Sequence, residues 1–245
     1  MHDPGGRPRR AAAFFDVDRT LLARSATLAF GRSLRREGMV SKVTALRGAY
    51  TQLAYQRRGA DAGRMERYRL RLLRLTRGWD ADRLSHLVRE ALVEVLDPLV
   101  YAEAVALLER HRREGRALYL VSSSGVEVVQ PLAEHLGVPR VIATRAGVDA
   151  DGRYDGTLEF YCYAGAKADA VRAAALREDL DLDSSFAYSD SITDLPLLEA
   201  VGNPVAVNPD RRLRAVARGR SWPVLDFRRP ARGRPVSRRR SARQK

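Results

Sequence analysis

Short, unbroken apolar runs alternate along this chain with amphipathic stretches. Residues 11–15 form such a run, ending in an acidic turn, as expected for a buried parallel strand that feeds a loop. Residues 117–121 repeat the pattern and end in Ser122, Ser123 and Ser124. Shorter runs at 141–143, 186–188 and 205–207 complete a predicted five-stranded sheet. Between strands, Val126, Val129, Leu132, Ala133 and Leu136 recur at helical spacing, closed by Gly137 and Pro139. The alternation predicts an open, mostly parallel sheet with helices on both faces and ligands at the carboxyl ends of its strands. Residues 149–154, a turn between two β-prone runs, predict a hairpin.

Residues 25–98 break this rhythm. They are helical in pattern, rich in arginine and without a convincing strand, and they predict an insertion of roughly four helices that reads as a cap. The ends of the chain differ again. Residues 1–10 carry Gly, Pro and Arg without apolar periodicity and read as a disordered arm; residues 228–245 read as a basic disordered tail. The predicted core is then 11–24 with 99–227, interrupted by the cap at 25–98.

The chain has 245 residues, 45% hydrophobic and 30% charged, enough to bury a sizeable core. Its apolar runs are too short for a membrane span or a signal-peptide core, which places it in the cytosol, with peripheral attachment to a membrane left open. More than half of the net charge of +14 is local: 228–245 hold nine basic residues and no acid. Of the 44 basic residues only Lys42, Lys167 and Lys245 are lysines, so compositional bias explains much of the total. Cys162, the single cysteine, cannot form an internal disulfide and fits a reducing compartment.

Candidate chemistry gathers at one structural place, where an apolar strand ends or the next helix begins. Asp16 and Asp18, then Ser122, then Lys167, then Asp190 and Asp194 all fall there. Each alone reads as a helix cap, a turn residue or a solvated charge. Together they set four carboxylates at one rim, which repel one another unless a cation compensates. Magnesium suits oxygen ligands and takes one or two carboxylates plus substrate phosphate, with Asp16 and Asp190 as direct ligands. Phosphoryl transfer needs a nucleophile, neutralised phosphoryl oxygens and a proton for the leaving alcohol, and this set supplies all three. An aspartate can attack phosphorus, while Ser122 and Lys167 hold the remaining oxygens.

These segments resemble, in order, the four motifs of the haloacid-dehalogenase superfamily of phosphatases. Asp16-Val17-Asp18-Arg19-Thr20 is similar to the first, Ser122 to the second, Lys167 to the third, and Asp190-Ser191-Ile192-Thr193-Asp194 to the acidic fourth. The strand end 121–124, the Tyr161-Cys162-Tyr163 lead into Lys167, and 194–198 resemble the phosphoserine-phosphatase-like subgroup with a helical cap between the first two motifs. The resemblance implies a Rossmann-like α/β fold and a Mg2+-dependent phosphomonoester hydrolase working through an aspartyl-phosphate. It implies Asp16 as nucleophile and metal ligand, and Asp18 as general acid and base that also binds metal through its carbonyl. Thr20, Ser122 and Lys167 would bind phosphate, with Asp190 on the metal and Asp194 on it or behind it. An acid at Asp18 favours ester hydrolysis over halide displacement, because a departing oxygen needs a proton. Ser189 and Ser191 stand where glycines are usual in phosphoserine phosphatases, which loosens the substrate assignment but not the reaction class.

The implied partner is a small phosphorylated metabolite, phosphoserine-like or otherwise. Residues 57–77, with eight arginines, would face an anionic substrate or a solvated exterior. Two alternatives stay open: a lipid or prenyl phosphate at a membrane surface, or an inactive scaffold whose basic tail binds nucleic acid or anionic membrane. The tail lacks the aromatics that stack on bases.

Overall fold

A computed structural model describes residues 9–38 and 62–228. The arm at 1–8, the insertion's residues 39–61 and the tail at 229–245 lie outside the described residues, as does the basic stretch at 57–61.

Seven strands form one sheet: β1 (Arg10–Asp16), β2 (Ala117–Gly125), β3 (Arg140–Val148), β4 (Tyr154–Phe160), β5 (Leu180–Ser189), β6 (Asn203–Val207) and β7 (Val224–Leu225). Their order across the sheet is β4-β3-β2-β1-β5-β6-β7. Every neighbouring pair is parallel except β3 with β4, the hairpin around the turn at 149–154. The sheet is thus two strands wider than the five apolar runs indicate. β4 alternates exposed and partly buried positions after buried Tyr154 instead of running continuously apolar, and β7 is only two residues long. β1 also starts at Arg10, where the arginine side chain donates to the carbonyl of Gly115 at 2.6 Å.

The faces of the sheet read directly from the pleat, since successive side chains point to opposite sides. On β1, Ala13 and Phe15 join Val17 in one apolar core, with Leu118 and Leu120 of β2. Ala12 and Phe14 enter the other, with Tyr119 and Val121. Helices α5 (Ala102–Arg113) and α6 (Val126–His135) cover the first core. Helices α7 (Gly165–Arg177), α8 (Leu195–Leu198) and α9 (Arg211–Gly219) cover the second. Gly137, at φ 67°, ends α6 in the left-handed turn expected of a glycine at that place.

Between β1 and α5 the described residues form helices only: α1 (Ala26–Ala29), α2 (Gly31–Arg36), α3 (Ala62–Thr76) and α4 (Ala81–Val95), followed by one 3-10 turn at Asp97–Leu99. Asp80 caps α4 by accepting from the Arg83 amide at 2.8 Å. Leu87, Val88 and Leu92 bury its inner face. The α3–α4 corner is tied to the hairpin through Gly78 N–H to Tyr154 O at 2.8 Å and Tyr154 N–H to Trp79 O at 2.9 Å. The two crossings between insertion and sheet run side by side, with Ala23 N–H on Leu99 O at 2.8 Å and Tyr101 N–H on Leu21 O at 2.9 Å.

Candidate active site

β1 lies at the point where the strand order reverses, since the chain passes from it toward β2 on one side and returns as β5 on the other. Side chains leaving the carboxyl ends of β1, β2 and β5 therefore meet across a crevice, the usual ligand position in such sheets. Asp16 is the last residue of β1 and pairs in register with Val121, next to Ser122. Phe15 pairs with Tyr188, which brings Ser189 and Asp190 alongside Asp16. Lys167 arrives from the first turn of α7, and Asp194 from the 3-10 turn Ile192–Asp194.

The expected residues converge, though not all by direct contact. Lys167 Nζ lies 2.6 Å from Asp16 Oδ1 and 2.7 Å from Asp194 Oδ2, and all three are buried. Ser189 Oγ donates to the same Asp194 oxygen at 2.7 Å. Asp190, also buried, meets Arg19, whose guanidinium is 3.2 Å from Oδ2. Asp18 stands on the insertion's side: Oδ1 accepts from the Ala26 amide at 2.7 Å and Oδ2 from the Ser124 hydroxyl at 3.1 Å. The Ser122 hydroxyl accepts from the Ser124 amide at 3.1 Å. Thr20 is fully buried, and its hydroxyl has no hydrogen-bond partner among the described residues. A buried hydroxyl without a partner is costly unless something fills the place, so its position favours a ligand.

Charge in this crevice does not balance. Desolvation pushes the Asp16 carboxyl up to about 7, against the pull of Lys167, and Asp194 adds to the rise. Asp190 is raised well above the carboxylate range, first by burial and then by Asp16. Asp18 is raised by desolvation too, partly offset by its bonds to Ala26 and Ser124. Burial works against the Lys167 ammonium, yet Asp16 and Asp194 hold it protonated well above its ordinary value. One buried lysine faces three buried carboxylates, which is the environment a divalent cation would relieve. The donor set is all oxygen and suits magnesium. Among the described residues no group of three or more His, Cys, Asp or Glu side chains could hold an ion unaided, so a cation would draw on backbone carbonyl, water or substrate oxygens.

Several residues that build this crevice carry no legible signal. Asp210 caps α9 through the Leu213 amide at 2.8 Å and holds the 190–194 turn through the Ile192 amide at 2.9 Å; an acid before a helix is its only mark in the sequence. Arg19 and Ala164 both take left-handed backbone, at φ 64° and 49°, strain that side-chain-bearing residues show where structure elsewhere fixes them. Cys162 is buried, and desolvation pushes its thiol up to about 12, which disfavours the thiolate that a nucleophile needs.

A mostly parallel sheet with this crevice at its switch point, and a lysine locked between the aspartate that ends β1 and one from the turn after β5, defines a hydrolase of the haloacid-dehalogenase type. The chain belongs to that family: the haloacid dehalogenase-like hydrolase model matches residues 13–199. It is 46% identical over 229 residues to a Mycobacterium tuberculosis protein named "Probable phosphatase", covering 93% of this chain and 79% of that one. It is 35% identical over 220 residues to a phosphoserine phosphatase of the same organism, covering 89% and 71%. A Bordetella pertussis crystal structure of unknown function superposes with a TM-score of 0.77 at 31% identity, covering 89% of this chain and 99% of that one.

Proposed function

We propose that the chain hydrolyses the phosphate monoester of a small metabolite, through an aspartyl-phosphate on Asp16. The observation that carries this reading is the excess of buried carboxylate around Lys167, which a substrate phosphate with its cation would balance. Asp16 would attack phosphorus, held in place by the Lys167 ammonium on Oδ1. Asp18 would give its proton to the departing oxygen and later take one from the water that cleaves the acyl phosphate, and burial, which raises its carboxyl above the ordinary value, favours that role. Ser122, Thr20 and Lys167 would hold the phosphoryl oxygens. The Asp16 and Asp190 side chains and the Asp18 carbonyl would hold Mg2+, with Asp194 beside or behind them, and that ion would neutralise charge on the phosphoryl group.

Residues 25–98, as a cap over the crevice, would select the alcohol. The named relatives favour a phosphoserine-like amino-acid phosphate, and Ser189 and Ser191 leave other small esters open. The nine basic residues at 228–245 would serve a separate purpose, contact with an anionic membrane or nucleic acid. Among the described residues no helix is long and apolar enough to cross a membrane. A panel of phosphate esters, assayed with Mg2+ and with chelator, tests the reading. Phosphate release from at least one amino-acid-like ester is expected, and chelation abolishes it; release that persists in chelator contradicts it.

A further inference from the structure

Two cations enter the crevice, and they are held very differently. The Lys167 side chain is 3% exposed and gripped by two carboxylates. The Arg19 side chain is 37% exposed and touches one carboxylate oxygen, Oδ2 of Asp190, at 3.2 Å. Asp190 itself is almost closed off from solvent, and among the described residues Arg19 is the group that meets its side chain. The arrangement also needs an unusual backbone. At φ 64° Arg19 occupies the left-handed region that favours glycine, so the pair forms in spite of local preference. The turn that strains Arg19 is what carries its guanidinium across from β1 to the acid that follows β5.

We propose that Arg19 is a positioning residue of the metal site, a displaceable counter-ion that neutralises and orients Asp190 until a divalent cation takes its place. The inference rests on the metal reading above and deepens it. A locked cation such as Lys167 could not yield to an ion, since moving it would leave two buried carboxylates bare. A half-exposed guanidinium on a flexible stem can swing into water at little cost. Arg19 then does two opposing things: it compensates the buried charge of Asp190 when no ion is bound, and it competes with an incoming ion, setting metal affinity lower than the carboxylates alone would give.

Calorimetric titration of Mg2+ alone into the metal-free full chain, with every variant compared at the same pH, separates this from an incidental ion pair. Arg19→Gln removes the charge and keeps a side chain of similar reach, and roughly tenfold tighter Mg2+ binding is expected. Arg19→Lys keeps the charge and should bind Mg2+ within about twofold of the native chain. Arg19→Gly, which accepts φ 64° freely, should gain the same affinity as Arg19→Gln and melt no lower than native, which covers the case in which the glutamine variant folds poorly. Gln and Gly variants that bind Mg2+ no more tightly than native, or a Lys variant that gains as much as they do, would overturn the role of Arg19 while leaving the metal site standing. Failure of all four proteins to bind Mg2+ would remove the metal site itself, and this inference with it.

Discussion

Two buried polar clusters lie against the central strands, and they handle charge in opposite ways. At the carboxyl rim, Asp16, Asp190 and Asp194 face Lys167, and the Asp16 and Asp190 carboxyls are raised, first by burial and then by neighbouring acids. Along one face of the same sheet, fully buried His111 of α5 has Nε2 2.7 Å from the Tyr188 hydroxyl and Nδ1 3.0 Å from the Arg116 guanidinium. Phe15 and Tyr188 stack beside it at 4.5 Å, and Arg116 covers Phe186 at 4.5 Å. Burial and the nearby arginines lower the His111 imidazole to about 4, so at neutral pH it is an uncharged bridge with both nitrogens occupied. Tyr188 and Phe15 belong to the same strand ends as the rim acids, a residue or two away. The difference separates structure from function: a polar group that only supports the fold is satisfied within the chain, whereas a site leaves charge for something else to complete.

Removing the rim's one buried cation should give the largest effect. Lys167→Met leaves Asp16 and Asp194 without their partner, and the metal-free protein should lose about 3–5 kcal/mol in a denaturant melt, together with its turnover. A variant as stable as native would mean the rim is no more strained than the His111 cluster. Next in size, Asp18→Asn should slow hydrolysis of alkyl phosphates by ~10²–10⁴-fold and of activated aryl phosphates much less, because a strongly basic leaving oxygen depends most on a proton donor. Equal losses on both substrates would reduce Asp18 to a brace for Ala26 and Ser124.

How far the sequence discloses each cluster follows from the same contrast. The rim residues are legible because polar residue types recur at one structural place, Asp16, Ser122 and Asp190 at the ends of apolar runs and Lys167 at the start of a helix. His111 sits between Arg110 and Arg112 in a basic helix, where only its helical spacing from buried Ala104 and Leu108 marks it as turned inward. Arg19 lies inside the first motif, yet in an arginine-rich chain its charge draws no notice, and its left-handed backbone exists only in three dimensions. β7 escapes for a similar reason: its pairing comes from a neighbour already in the sheet and not from its own apolar pattern, whereas the turn at 149–154 announces the hairpin of β3 and β4.

The His111 cluster gives a smaller effect with a distinctive pH signature. An imidazole lowered in the folded chain takes its proton first when unfolded, so stability is full above the unfolded value and drains as pH falls from there toward about 4. Between pH 7 and 5 the native chain should lose about 2 kcal/mol on this account. In urea melts His111→Gln should be about 1–3 kcal/mol less stable at pH 7 and show a correspondingly flatter dependence. An unchanged slope would mean that His111 does not stay neutral in the fold. The smallest effect is expected from the basic end of the chain. Deleting 229–245 removes eight basic residues and should change turnover of a small soluble ester by less than about twofold, while binding to anionic vesicles falls. A truncation that abolishes turnover would place those residues at the crevice.

The measurement that bears most directly on the central claim is the fate of the phosphoryl group. The native chain, quenched in acid during turnover of a hydrolysed ester with Mg2+ and digested, should carry one acid-stable, hydroxylamine-sensitive phosphoryl group on the peptide containing Asp16. Chelator should abolish the label, and Asp16→Asn, folded and with its far-ultraviolet spectrum intact, should neither take it up nor release phosphate. Phosphoryl found on another residue, or near-native turnover by Asp16→Asn, would contradict the account.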